Sequence, residues 1–210
     1  MTETTRILSW LLVSYLLGAV PTSYLVARLF KGIDLREQGS RNLGATNLYR
    51  TLGWKFAVPV GLFDVAKGAL PVVLLGPRVP EIALFPVYCG VAAIIGHVFS
   101  VFVGFKGGKG VATAAGVVLG LAPLALLAVA VVWAVVVKLS GYVSLGSVIA
   151  AALFPVAAEL LHPARPEPLW IDIGLAVFLI VKHRSNLQRL IQGTENRFGR
   201  HRRAGAAPAP

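Results

Sequence analysis

The sequence predicts an all-α integral membrane protein: a bundle of seven transmembrane helices, N-terminus outside and C-terminus cytoplasmic, with short or broken helices near the active site. Three observations predict it. The chain is 56% hydrophobic and only 14% charged, with a mean hydropathy of +0.74, too apolar for an ordinary soluble domain. Its apolar residues fall in long runs separated by short polar stretches. Those stretches hold most of the twenty Lys and Arg residues, and the positive-inside rule then limits how many crossings separate them.

The first apolar run, Ile7 to Phe30, is longer than a signal-peptide core and is expected to cross once, with Trp10 at one interface and Arg28 and Lys31 at the other. A polar stretch follows, Lys31 to Lys55. The second run, Phe56 to Gly76, and the third, Ile82 to Val103, are joined by the short turn Pro77 to Glu81. Two crossings return the chain to the side it left. The polar stretch Gly39 to Arg50 therefore shares a compartment with the loop Gly104 to Gly110.

The apolar stretch Val111 to Val137 fits either one overlong span or two short ones broken at Gly120 to Pro123. Beyond it lie a polar joint at Lys138 to Ser144, a run to Leu161, a proline-rich turn and a last run from Leu169 to Val181. A single crossing would put the basic tail, Lys182 to Arg203, opposite the other basic stretches. Two crossings put all three in the cytoplasm and give the count of seven. The weak element is Val111 to Leu121, which at about 1.5 Å per residue falls short of a core about 30 Å thick. Residues 1–196 are expected to form one membrane-embedded domain and 197–210 a basic, disordered cytoplasmic tail.

The net charge of +11 would suit nucleic acid in a soluble protein. In a membrane protein it points to cytoplasmic loops, anionic headgroups or a phosphorylated substrate, so no nucleic-acid partner is expected. The lone Cys89 allows no internal disulfide, and without Cys or His clusters no metal site is expected.

Three polar patches can carry chemistry. The loop within GHVFSVFVGFKGGKGVAT, Gly96 to Thr113, sets Lys106 and Lys109 among Gly107, Gly108 and Gly110. Glycines bring backbone N–H groups close to a ligand and lysines add charge, so it is an anion cradle, or else a basic turn that only fixes topology. It is not a Walker A loop, since Gly110 follows Lys109 where Ser or Thr is required. The patch GSRNLGATNLYR supplies Arg50 for a bidentate phosphate contact and Ser40, Asn42, Thr46 and Asn47 for single hydrogen bonds, unless those side chains serve their own turn. The patch KHRSNLQRLIQGTE extends the last span as a helix that Gly193 ends, with His183 and Asn186 on one face and Glu195 just beyond.

Ser40 as a covalent nucleophile activated by His183 is a further possibility, but its context lacks the G-x-S-x-G elbow and no residue to orient the histidine is evident. Asp64 and Lys67, three residues apart in an apolar run, are expected to pair with each other. In the joint GYVSLGS, Ser144 can contact substrate, while Ser147 more simply serves a helix start.

The order GSRNLGATN with Arg50, D-V-A-K-G at Asp64 to Gly68, GH with FKGGKGVAT, Y-V-S-L-G-S, then H-R-S-N-L-x-R-L-x-x-G-x-E resembles the bacterial acyl-phosphate:glycerol-3-phosphate acyltransferases, the PlsY family. The resemblance covers nearly the whole chain up to about Glu195. Three positions depart from it: Arg41 stands at a variable position, Ser100 where proline is frequent, and Lys182 where arginine is usual. Of these, Ser100 is expected to loosen the approach to the glycine-lysine loop.

The resemblance implies transfer of a fatty acyl group from acyl phosphate to the 1-hydroxyl of glycerol 3-phosphate, giving lysophosphatidic acid and phosphate, with no cofactor. It implies a bacterial plasma membrane enzyme of phospholipid biosynthesis with its site facing the cytoplasm. Ser40, Arg50, Lys109, His183 and Asn186 would be catalytic, and Asn42, Thr46, Asn47, Lys106, Gly107, Gly108, Gly110, Ser144 and Glu195 would bind substrate. The expected partners are the two substrates, the bilayer and the enzyme that supplies acyl phosphate. Direct attack in a ternary complex is favoured over an acyl-enzyme. The rival reading, a multi-pass transporter of a phosphorylated metabolite, is disfavoured because paired repeats are not evident and the patches gather at one surface.

Overall fold

The computed structural model describes residues 2–198, all of whose regular elements are helical. The chain opens with α1 (Glu3–Ala19), capped by the Thr2 side chain, which accepts a hydrogen bond from the Thr5 N–H. Then comes α2 (Thr22–Lys31), bent from α1 by 41°. The first apolar run is thus two helices rather than one straight span. Pro21 at the junction has no N–H to continue the ladder, and Val20 turns its N–H back to Leu17.

A loop carrying the first polar patch leads to the short α3 (Ala45–Leu52) and then α4 (Trp54–Leu70), which runs on through a π turn, Pro71–Leu75, where proline again interrupts the ladder. Next come α5 (Phe85–Val98) and the glycine-lysine loop, then α6 (Val111–Leu121) and α7 (Pro123–Ser140). The Val111 to Val137 stretch therefore breaks at Ala122, where Pro123 starts a new helix. Last are α8 (Val143–Leu161), α9 (Leu169–Lys182) and α10 (Arg184–Ile191). The last span does not continue unbroken into the third patch: His183 (φ −97°, ψ 5°) leaves helical geometry between α9 and α10.

Among the described residues, four helical segments are long and apolar enough to cross a membrane, or five if the bent α1–α2 pair counts as one. At 11 residues, α6 spans only about 16 Å and is not among them. Many large apolar side chains face outward, Leu127, Val131 and Leu139 of α7 among them, as a lipid-facing surface requires.

Small residues set the packing that places the loop. A Cβ on Gly116 of α6 would strike the Val65 carbonyl of α4, and one on Gly68 of α4 would strike the Thr113 carbonyl of α6. The two backbones touch directly and pin the start of α6 in the bundle. Ser100, which was expected to loosen this region, instead ties it down: its hydroxyl donates to the Ala19 carbonyl at the end of α1 at 2.5 Å. Beneath the first patch, Leu35, Leu43 and Leu48 are buried with Val60 and Val103, each leucine contributing about 2 kcal/mol of burial. At the opposite end of the bundle Arg165 sits among Glu159, Glu167 and Asp172, with Glu167 and Asp172 as buried as the guanidinium between them.

A cavity where three polar patches meet

One cavity of about 480 Å³ is lined by residues from all three patches: Ser40, Asn42, Thr46 and Arg50 from the first, Lys109 and Gly110 from the loop, and His183, Asn186 and Glu195 from the third. Its wall continues between the helices as an apolar groove made by Val118, Val129, Ala130, Ala150, Ala151, Phe154 and Ala176. The three patches therefore supply most of the polar lining, and apart from Asp64, His97, Ser144 and Ser147 the rest is largely hydrocarbon.

The polar end is wired together. Lys109 Nζ donates to Asn186 Oδ1, whose amide nitrogen donates to Glu195 Oε1 at 2.7 Å. Glu195 also accepts from Ser144 Oγ at 2.9 Å and Arg189 Nε at 2.7 Å. Burial pushes the Glu195 carboxyl up, but hydrogen bonds from Asn186, Arg189 and Ser144 outweigh it and hold the group below its usual value. Glu195 is thus a charged clamp with its acceptors committed. Burial, reinforced by Arg189, Arg50 and Lys182 against the opposing pull of Glu195, lowers Lys109 to about 8.

His183 is 4% exposed, and burial lowers it to about 4, so its imidazole is neutral at pH 7. Its Nδ1 lies 2.8 Å from the Leu179 carbonyl, one turn back in α9. A carbonyl can only accept, so Nδ1 carries the proton and Nε2 is left as an acceptor. The orienting group that the sequence did not reveal is therefore a backbone carbonyl.

The first patch is held by Asn47, only 1% exposed. Its Oδ1 accepts from the Ser40 N–H at 2.8 Å, and its Nδ2 contacts the carbonyls of Leu35, Gln38 and Asn42 at 3.0–3.3 Å. Asn47 lines the cavity, but its amide is committed mainly to shaping the loop. Arg50 donates through Nη2 to the Asn196 carbonyl at 3.2 Å, while its buried Nε has no hydrogen-bond partner among the described residues.

The glycine-lysine loop is divided. The N–H groups of Gly107 and Gly108 donate to the Val98 and His97 carbonyls at the end of α5, so they cannot cradle phosphate. Gly110, Val111 and Ala112 line the cavity, and the first N–H groups of α6 lack helical acceptors, so the backbone donors left free at the cavity are those of the helix start. Lys106 and Gly107 line a separate pocket.

Asp64 Oδ1 and Lys67 Nζ are 2.7 Å apart, and Lys67 also donates to the Val20 carbonyl across the α1–α2 bend. Ser147 turns its hydroxyl to the Val143 carbonyl and accepts from Trp133 Nε1. Two features went unseen in the sequence. His97 lines the cavity beside Asp64, its ring against Gly108, a polar residue in an apolar run whose setting was the only signal. Arg197 and Phe198, assigned to the tail, belong to the fold: the Phe198 N–H donates to the Gly141 carbonyl, its ring stacks on Tyr49 at 4.6 Å, and Arg197 donates to the Tyr142 hydroxyl. Residues 199–210, the rest of that tail, lie outside the described residues.

The sequence matches the family model described as glycerol-3-phosphate acyltransferase over residues 8–193. Among similar curated proteins, the glycerol-3-phosphate acyltransferase of Trichlorobacter lovleyi is 48% identical, covering 91% of this chain and 97% of its own. That of Chlorobaculum tepidum is 44% identical over 92% and 97%. The crystal structure of PlsY (YgiH), an integral membrane glycerol 3-phosphate acyltransferase, in its glycerol 3-phosphate form superposes with a TM-score of 0.85 at 38% identity, over 92% of this chain and 96% of that one. Its lysophosphatidic acid form gives 0.82 at 36% identity, over 92% and 95%.

Proposed function

Because the chain belongs to the glycerol-3-phosphate acyltransferase family, we propose that it transfers a fatty acyl group from acyl phosphate to the 1-hydroxyl of glycerol 3-phosphate. The products are lysophosphatidic acid and inorganic phosphate. The observation that carries this reading is the single cavity that joins a cationic polar end to an apolar groove between helices. It matches a donor whose head is phosphate and whose tail is hydrocarbon.

Glycerol 3-phosphate sits against Ser40, Thr46, Arg50, Lys109, His183 and Asn186, with Arg50 and Lys109 offsetting its charge. The donor's phosphate takes the start of α6, its chain lies in the groove toward Phe154, and Ser144, whose hydroxyl donates to Glu195, holds that carboxylate in place. Holding two anions together in this way supplies most of the catalysis, through proximity and charge stabilisation. The hydroxyl oxygen attacks the acyl carbon, the carbon–oxygen bond to phosphate breaks, and phosphate leaves with that electron pair. The hydroxyl proton passes to His183 Nε2 or to a phosphate oxygen. No acyl-enzyme forms. Glu195 and Asn47 position the ligands without touching the substrates.

The topology of this proposal has seven crossings, the N-terminus outside and the site facing the cytoplasm of a bacterial plasma membrane. Under it, α6 and the loop before it complete one crossing together. The test is phosphate release by purified protein given palmitoyl phosphate, with and without glycerol 3-phosphate, beside Lys109→Ala and His183→Ala. Release that requires glycerol 3-phosphate, forms lysophosphatidic acid and drops in both variants is expected. Release indifferent to glycerol 3-phosphate in a folded sample would overturn the proposal.

A further inference from the structure

We infer that the glycine-lysine loop carries a second anion site on the face turned away from the catalytic cavity, and that it binds the phosphomonoester headgroup of a membrane lipid. The inference goes beyond the acyl transfer proposed above and does not rest on it.

The site is a pocket of about 580 Å³ lined by Arg36, Arg41, Phe105, Lys106, Gly107 and Lys182, with Val98 at its base. None of its lining residues lines the catalytic cavity. Four cations thus converge on one concavity, which costs repulsion unless an anion offsets it. Among the described residues only Arg36 is matched, by Asp34, with Nη2 to Oδ2 at 2.6 Å, and the Glu37 charge also acts on it. Arg41, Lys106 and Lys182 have no carboxylate partner among the described residues.

Backbone strain marks the same place. Among the described residues, only Arg41 (φ 59°) and Phe105 (φ 61°) are non-glycine residues in the left-handed region, and both line this pocket. Side chains at such φ cost energy and persist where the surroundings hold them for a purpose. Here they aim two residues from separate patches at one space.

The rim identifies the source of the anion. Phe105, which lines the pocket, is 59% exposed, and the Lys182 ammonium lies over the ring of Phe99, itself 41% exposed, at 4.9 Å. Exposed aromatic side chains beside a cluster of cations are what a headgroup at the hydrocarbon boundary meets, and a soluble anion has no use for the phenylalanines. A monoester carries about 1.5–2 negative charges and three terminal oxygens, against one charge on a diester, and so better fills a site of two arginines and two lysines. Its occupant would touch Gly107, two residues from Lys109, which couples it to the catalytic face of the loop.

The experiment places the full chain in neutral phosphatidylcholine nanodiscs doped with phosphatidic acid or with phosphatidylglycerol. Lipids retained on the released protein are counted by native mass spectrometry. Wild type and Lys109→Ala are expected to retain phosphatidic acid above phosphatidylglycerol, and Arg36→Gln/Arg41→Gln to lose that retention by about tenfold or more. The single Arg41→Gln, at an exposed side chain, serves if the double variant does not fold. Undiminished retention in the variants would overturn the inference. So would loss in Lys109→Ala, which would put the lipid in the catalytic cavity, or equal retention of phosphatidylglycerol. Displacement by inorganic phosphate would make free phosphate the ligand and also overturn it.

Discussion

Lys109 Nζ donates to Asn186 Oδ1, joining residues 77 positions apart and bridging the glycine-lysine loop to α10. The same Asn186 amide donates to Glu195, so the position and charge of Lys109 depend on a chain of three residues. Glu195 favours the ammonium, while burial, Arg189, Arg50 and Lys182 oppose it.

This arrangement predicts the alkaline limb of activity. If Lys109 holds glycerol 3-phosphate as proposed, it must be protonated to do so, and kcat/KM for that substrate should fall as pH rises through about 8. A bound phosphate dianion favours the ammonium, so kcat should hold to higher pH. In Glu195→Gln the charge that supports Lys109 is gone, and the limb in kcat/KM should move below its wild-type position. Steady-state profiles of the two proteins check this. An unmoved limb would show that Lys109 does not set it.

His183 predicts an acid-side loss of stability. In the fold it titrates near 4, whereas the unfolded chain takes up its proton near 6.5, so between those values the unfolded state binds more protons. Stability is therefore full above about pH 6.5 and declines as pH falls toward 4, by about 3 kcal/mol over the whole window. Thermal melts of wild type and His183→Gln across that range should converge at low pH, because the variant lacks the group. Parallel curves would refute it.

The split between what was legible in the sequence and what was not follows the kind of group involved. Ser40, Arg50, Lys109, His183 and Asn186 could be picked out because charged and donor side chains stand out against apolar runs, and the structure brings them to one cavity. Backbone partners are invisible in a sequence. The N–H groups of Gly107 and Gly108 looked available until α5 placed the His97 and Val98 carbonyls against them. Asn47 looked like a ligand for the same reason, since its partners are mostly carbonyls of its own loop. The bend at Pro21 was signalled by a proline inside an apolar run, but run length was the stronger cue and suggested a straight span.

Asn47 supports a third prediction. Asn47→Ala removes the acceptor of the Ser40 N–H and the donor to the loop carbonyls, leaving buried backbone groups unpaired at about 1–3 kcal/mol each where water cannot reach. Ser40 and Arg50 then lose their fixed spacing. The KM for glycerol 3-phosphate should rise several-fold more than the KM for acyl phosphate, for which the proposed groove lies between other helices. Equal effects on both would mean that the first patch is only scaffold.

The far end of the bundle gives the last prediction, because it separates stability from catalysis. Arg165 holds Asp172 and Glu167, two carboxylates about as buried as itself, at the turn between α8 and α9. A proline-rich turn gave no sequence hint of a buried ion cluster. Hydrogen bonds and the charges of Asp172 and Glu167 outweigh burial and raise the guanidinium above its usual value, so it stays charged. Replacing it by methionine would strand two like charges beside each other, at about 3–5 kcal/mol. Arg165→Met should therefore melt well below wild type, and adding Asp172→Asn should recover part of the loss. At temperatures where the variant is folded, its KM for glycerol 3-phosphate should match wild type, because the cluster lines no part of the cavity. A KM change at full folding would show that the turn communicates with the site through α9, whose other end carries His183.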